Sequence, residues 1–239
     1  MTETTAGTKI APNRLLALWS SVIGKKVVMA ATGAVLILYV LLHMVGNLKI
    51  FSGPVEINAY SHFLREVGWP ELGYGQLLWI VRSVLFLCVI LHITAALQLT
   101  SINRQARPVG YGVKKNVETT WGALTMRWGG VLLAIFIVFH LFHLTAGMVG
   151  FQPGQFEHLM VYQNVVAAFS LWPVAVFYLI AMCALCLHLD HGIWSGLQTL
   201  GCVNIDNTKS LRTVSRIIAL IIFAGFISVP ISVLAGWVR

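Results

Sequence analysis

Charge is what this chain has least of. Only 10% of its 239 residues are Asp, Glu, Lys or Arg, and just 8 of them are acidic. Soluble domains usually carry about 25% charged residues, so a water-exposed globular fold is excluded for most of the chain. Proline is scarce as well, and only Pro173 and Pro230 fall deep inside apolar runs, at positions that do not match each other. The broken helices and paired half-repeats common in secondary transporters are therefore not indicated. No low-complexity tract or clear internal repeat is seen. Cysteine is limited to Cys88, Cys183, Cys186 and Cys202. The first three lie in apolar runs and the fourth in a loop expected on the cytoplasmic side, where thiols stay reduced, so a disulfide framework is not expected. The opening MTETTAGTKIAPNRLLALWSS is polar, then amphipathic. It lacks the apolar core and small-residue cleavage site of a secretory signal, so the first apolar run is expected to stay as a spanning helix.

What fills the sequence instead is apolar: 58% of residues are hydrophobic. Five runs, at about 27–48, 77–99, 129–149, 165–189 and 214–237, reach the ~20 residues that a bilayer demands. They predict an all-α integral membrane protein, one membrane domain built as a five-helix bundle. The loop GPVEINAYSHFLREVGWPEL sets Ile57, Tyr60, Phe63 and Leu64 at helical spacing, which predicts a short amphipathic helix at the membrane interface. Trp69, Trp79, Trp121, Trp128, Trp172 and Trp194 fall near the predicted helix ends, as interfacial anchors do.

Basic residues set the orientation of such a bundle. Lys9, Arg14, Lys25 and Lys26 precede the first run. Arg104, Arg107, Lys114, Lys115 and Arg127 separate the second from the third, and Lys209, Arg212 and Arg216 the fourth from the fifth. The opposite side holds Lys49, Arg65 and Arg239, with Glu56, Glu66, Glu71 and Glu157 among them. A multi-pass protein of the cell (inner or plasma) membrane is expected, N-terminus cytoplasmic and C-terminus external. The net charge of +8 flanks the spans instead of forming one patch, so nucleic acid is not an expected partner.

Six of the eight histidines lie inside the apolar runs: His43, His92, His140, His143, His188 and His191. An imidazole in hydrocarbon is unfavourable unless it binds a metal, finds a partner or lines a water path. Polar glue between helices would account for one or two of them, not for four segments. With helices alternating in direction, His43 and His140 or His143 form an outer layer, and His92 with His188 or His191 an inner one. Haem b needs one imidazole from each of two facing helices, and every such pair qualifies.

The inner layer also holds sulfur. Cys88 and His92 are spaced i, i+4, on one helix face about 6 Å apart along the axis, and Cys183 and Cys186 precede His188 and His191. Two thiolates and two imidazoles are the ligand set of a Rieske-type [2Fe–2S] centre. On the fourth run, however, Cys183 to His188 and Cys186 to His191 each turn about 140°, so a kink or long reach is required. Buried cysteines also occur as small hydrophobes. The gathering of three cysteines at one depth favours the cluster, and haem b at the inner site is the alternative.

Other polar residues sit at the membrane edges. Arg82, inside the external end of the second run, could pair with a haem propionate or a quinone carbonyl, or snorkel to the interface. Asp190 could orient a ligand imidazole, deliver protons to quinone, or simply be solvated. Ser20, Ser21, Lys25 and Lys26 lead into the first span and offer donors for quinone carbonyls, although basic residues there are also ordinary topology determinants.

Several segments together resemble one family. GKKVVMAATG, HMVGNLKIFSG, INAYSHFLR, TMRWGGVLLAIFIVFHLFH and HLDHGIWSGLQTLG resemble, in order and over nearly the whole chain, the cytochrome b membrane subunit of succinate dehydrogenases and fumarate reductases, in its single-anchor, five-helix branch. The resemblance implies an anchor for a flavoprotein and an iron–sulfur subunit on the cytoplasmic side that exchanges electrons with quinone. It implies His43 with His143 (or His140) for an outer haem and His92 with His191 (or His188) for an inner one. The cysteine set Cys88, Cys183 and Cys186 departs from that pattern. A histidine-relay channel or transporter, and a purely structural anchor without a redox centre, are the competing functions; iron in the purified subunit separates them from the first.

Overall fold

The computed structural model describes residues 18–106 and 121–239, with side chains from 125 onward in the second stretch. Lys9, Arg14, Arg107, Lys114 and Lys115, used above for orientation, lie outside the described residues, as does the side chain of Trp121.

Helix α1 spans Val22–Leu48. Ser21 caps it: its Oγ accepts from the Gly24 amide at 2.8 Å and donates to the Leu18 carbonyl at 2.9 Å. A tight turn, Lys49–Ser52, leads into α2, Pro54–Glu66, whose first residue is a proline already lacking the N–H that a helix start leaves unused. Helix α3 is Gln76–Gln105, and α4 is Trp121–His140, continued by one π turn, Leu141–Thr145. Helix α5 is Val161–Phe169, α6 Trp172–Thr199 and α7 Thr208–Leu234. Five of these elements are long and apolar enough to cross a membrane. At 1.5 Å per residue, α1 is about 40 Å long against a hydrocarbon core of ~30 Å. The chain is a multi-pass helical membrane protein, and no strand occurs among the described residues.

The helices overrun several expected ends, α6 reaching Thr199 and α3 Gln105, and two boundaries differ in kind. The run expected at 165–189 is two elements, the short α5 and then α6, broken at Ser170 and Leu171. Pro173, in the first turn of α6, has no amide to donate to a carbonyl of α5, so the helix cannot run through and α6 starts afresh after the extended Leu171. The run expected to reach 149 leaves helical geometry after Thr145, and Gly147 and Gly150, both at positive φ, reverse the chain.

Helices α6 and α7 pack most extensively; α1 lies against α3, α6 and α7, and α4 lies against α6. The contacts use small residues: Ala95, Ala175, Ala181 and Ala219 are wholly buried. Small side chains let helix backbones approach where lipid removes the hydrophobic drive for association. Gly225 on α7 is another such point, since a Cβ there would overlap Met44 Sδ on α1. The outer surface is apolar, with Trp128 80% exposed, as a lipid-facing wall requires. Trp69, Trp79 and Trp172 are likewise exposed, but Trp194 is buried with Arg212 stacked over its ring at 5.6 Å. Trp194 is therefore a packing residue and not the interfacial anchor that its sequence position suggests.

The amphipathic helix α2 forms where the sequence places it and buries Ile57. It is tied to the segment before and within α5: Asn58 Nδ2 donates to Gln163 Oε1 at 3.0 Å, Asn58 Oδ1 accepts from the Tyr162 amide at 3.0 Å, and Ser61 Oγ donates to the Leu159 carbonyl at 3.0 Å.

Candidate functional site

The histidines meet in two places. At the first, His92 of α3 and His188 of α6 have ring centroids 6.2 Å apart. At the second, His43 of α1 and His140 of α4 have centroids 5.8 Å apart, edge to face. Metal–imidazole bonds are about 2 Å long, so two rings on opposite sides of one ion have centroids roughly 6 Å apart. Both pairs match that spacing.

The layers are separated along two helices by the same amount. His92 faces α1 at Met29, Thr32 and Gly33, and His43 follows Gly33 by ten residues. On α6, Tyr178, which contacts the outer histidines, precedes His188 by ten residues. Each interval corresponds to about 15 Å of helix rise.

The inner pair is held in a form suited to a metal. His92 Nδ1 lies 3.1 Å from the Met29 carbonyl, which can only accept, so Nδ1 carries the proton and Nε2 is left with its lone pair. Donation of the remote N–H to a backbone carbonyl is the usual support of a metal-bound imidazole. Opposite it, His188 Nδ1 is buried without a hydrogen-bond partner. Glycines face both rings: a Cβ on Gly33 would lie 3.4 Å from His92 Cε1, and one on Gly130 3.9 Å from His188 Cε1. Paired imidazoles, an orphaned ring nitrogen and side-chain-free walls fit a flat group clasped between two histidines, as haem is.

The four-ligand sulfur–imidazole set is not assembled. Among the described residues, no group of three or more His, Cys, Asp or Glu side chains is close enough to hold a metal ion. The turn angles on α6 explain this. Cys186 is about 200° round the helix from His188 and packs against the Met44, Leu189, Ala219 and Ile222 cluster. Cys183, exposed, lines an apolar groove of about 310 Å³ between α4 and α6, beside Gly129, Leu132 and His188. Cys88 is half-buried on α3. His191 is half-buried one turn beyond His188.

At the outer layer, α4 brings His140 to His43, while the π turn carries His143 to a fully buried position between the rings of Phe139 and Phe151, each 5.1 Å away. Tyr178 Oη lies 3.2 Å from His140 Nδ1 and 2.9 Å from His143 Nδ1. Sequence reading missed Tyr178 altogether; its spacing of ten residues before His188 was the available signal.

The edge residues are already engaged. Ser21 is the cap of α1, and Lys25, 7% exposed, donates to the Trp19 and Ser20 carbonyls at 2.7 and 3.1 Å. Arg82 stacks over Trp79 at 5.1 Å. Partial burial, and then the neighbouring Arg82 charge, pull the Arg65 guanidinium on α2 below its ordinary range, so two cations converge at this end. Asp190 pairs with Arg216 of α7 at 3.7 Å, a partly exposed contact worth well under about 1 kcal/mol. Comparison with known proteins adds no relative: no family model, curated protein or solved structure matches the chain.

Proposed function

We propose that this chain is the membrane anchor and quinone-reactive electron-transfer subunit of a succinate:quinone oxidoreductase. The observation that carries the reading is the pair of facing imidazoles at each of two depths, about 15 Å apart along α1 and α6. Lone buried histidines serve many ends; two paired sets, one with its tautomer set by a backbone carbonyl, suit two iron centres in series. His92 and His188 would hold an inner iron and His43 and His140 an outer one. Haem b at each position supplies a one-electron carrier whose potential the ligands and burial tune. The chain's own contribution is to fix ring orientation, exclude water and space the centres. Arg65 and Arg82 converge near the outer layer, where haem propionates would need cations.

A mixed sulfur–imidazole centre at the inner layer is the second reading. Cys183 favours it by lining the same groove as His188.

The basic loops favour a cytoplasmic side for the end carrying Ser21, where a flavoprotein and an iron–sulfur subunit would dock beside the His92–His188 layer. Affinity purification of the full chain from its membrane, followed by mass spectrometry and iron analysis, should recover both subunits with iron in the anchor. An intact, active succinate dehydrogenase recovered without this chain would remove the assignment.

Quinone is placed at the same edge, near Ser21 and Lys25, where arriving electrons first meet the bilayer. Ser21 also caps α1, and removing a cap costs about 1 kcal/mol, so the two roles need separate variants. Ser21→Ala should depress quinone reduction while succinate oxidation by a soluble dye continues. Ser21→Asp, which caps but cannot donate to a quinone carbonyl, should remain impaired. Restored turnover in Ser21→Asp would assign Ser21 to capping alone, and collapse in Arg82→Ala with Ser21→Ala unaffected would move the quinone to the outer end.

A further inference from the structure

Tyr178 offers one hydroxyl to two imidazoles. Its Oη is 2.9 Å from His143 Nδ1 and 3.2 Å from His140 Nδ1, and it sits in a shell of Phe136, Phe139 and Phe169 rings that supplies no competing polar atom. A hydroxyl has one proton, so it can donate to only one of two ring nitrogens; the second contact is satisfied only if that ring donates to the oxygen. A neutral imidazole likewise carries a single N–H. The two rings must therefore be opposite tautomers.

Which ring takes which form follows from their surroundings. His140 faces His43 across 5.8 Å. His143 is fully buried between two phenylalanine rings, its Nε2 has no partner, and a Cβ on Gly150 would lie 2.8 Å from that nitrogen. The Gly150 backbone closes on His143 Nε2, whereas His140 has the His43 imidazole across from it. The π turn that starts directly after His140 separates the two rings in this way, and such turns recur at functional sites.

We infer that Tyr178 is a positioning residue: it accepts from His140 Nδ1–H and donates to His143 Nδ1, which leaves the lone pair on Nε2 of the ring that faces His43 and keeps the His143 proton on Nε2, closed off from metal by the Gly150 backbone. This deepens the electron-transfer reading by choosing the outer ligand, and it rests on that reading only for the identity of what is bound. The chain thus supports one ring of each histidine layer in the same manner, with an acceptor oxygen behind it: the Met29 carbonyl behind His92 and the Tyr178 hydroxyl behind His140. Support of this kind typically changes metal affinity by about 10- to 100-fold when removed.

The tautomers can be read directly. The full chain, expressed without iron in lipid nanodiscs and labelled with ¹⁵N-histidine, should give nitrogen shifts of an Nδ1-protonated ring for His140 and an Nε2-protonated ring for His143, assigned with His140→Gln and His143→Gln. Tyr178→Phe should abolish that opposition. In the assembled complex, the same variant should alter the outer centre's paramagnetic resonance and midpoint potential while the inner centre's stay fixed. His143→Gln should retain full iron, and His140→Gln should lose the outer iron. Two rings of the same tautomer in the wild-type chain would overturn the inference, as would loss of outer iron in His143→Gln with retention in His140→Gln. Opposed tautomers in a complex whose anchor contains no iron would leave the assignment of Tyr178 standing and count against the electron-transfer reading.

Discussion

His92→Ala should empty the inner layer. The variant is expected to lose the inner iron, to lower quinone reduction by more than about 100-fold, and to leave dye-coupled succinate oxidation untouched. The size follows from the geometry: His92 is one half of the pair with His188 and the member whose Nε2 is freed by a carbonyl on α1. Alanine removes the ligand and leaves the Met29 carbonyl without its partner. Iron content, the visible spectrum and paramagnetic resonance of the reduced complex together check it. Cys88→Ala is the companion variant. If two imidazoles alone hold the inner iron, Cys88→Ala should cost no more than the small packing defect of a lost half-buried side chain, with haem b absorption preserved. Destruction of the inner signal in Cys88→Ala as well as in His92→Ala would establish the sulfur–imidazole centre.

Gly150→Ala should be strongly damaging at the outer layer. Gly150 has φ +77, and the new Cβ would lie 2.7 Å from Cδ2 and 2.8 Å from Nε2 of the fully buried His143. Left-handed backbone costs a non-glycine residue about 1–2 kcal/mol and overpacking about 1–3 kcal/mol more. In a chain of this size that corresponds to a fall of roughly 5–15 °C in thermal midpoint. Gly154→Ala is the control, because Gly154 has φ +78 but nothing within 4 Å of its Cβ position. Equal melting temperatures for the two variants would mean that the His143 ring yields freely and that the outer layer is less closely packed than its rings suggest.

The five spans and α2 were legible because a bilayer enforces length and apolarity, which a sequence displays directly. The break at Ser170 was not, since the residues of α5 are as apolar as those of α6 and only Pro173 marks the division. Histidine depth was legible from helix direction, and it correctly grouped His43 with α4 and His92 with α6. The choice within each group was not: α4 leaves α geometry just past His140, and no spacing rule foretells a π turn. Which cysteines share a face with the histidines was not legible either, because equal depth is not equal face, and Cys186 packs on the α1–α7 side of α6. Tyr178 escaped notice because a tyrosine among phenylalanines looks like core until the two imidazoles behind it are seen.

The seam between α3 and α6 bears on how such a protein is put together. Helix α3 is packed chiefly on α1, whereas α1, α6 and α7 all pack on one another. His92 and His188 meet across helices that are not otherwise tightly joined. If the inner layer takes up a planar cofactor as proposed, a molecule entering sideways through lipid would have to separate α3 from α1, while α1, α6 and α7 stay packed together. On that reading, loading of the inner layer could follow membrane insertion without the three-helix frame being opened.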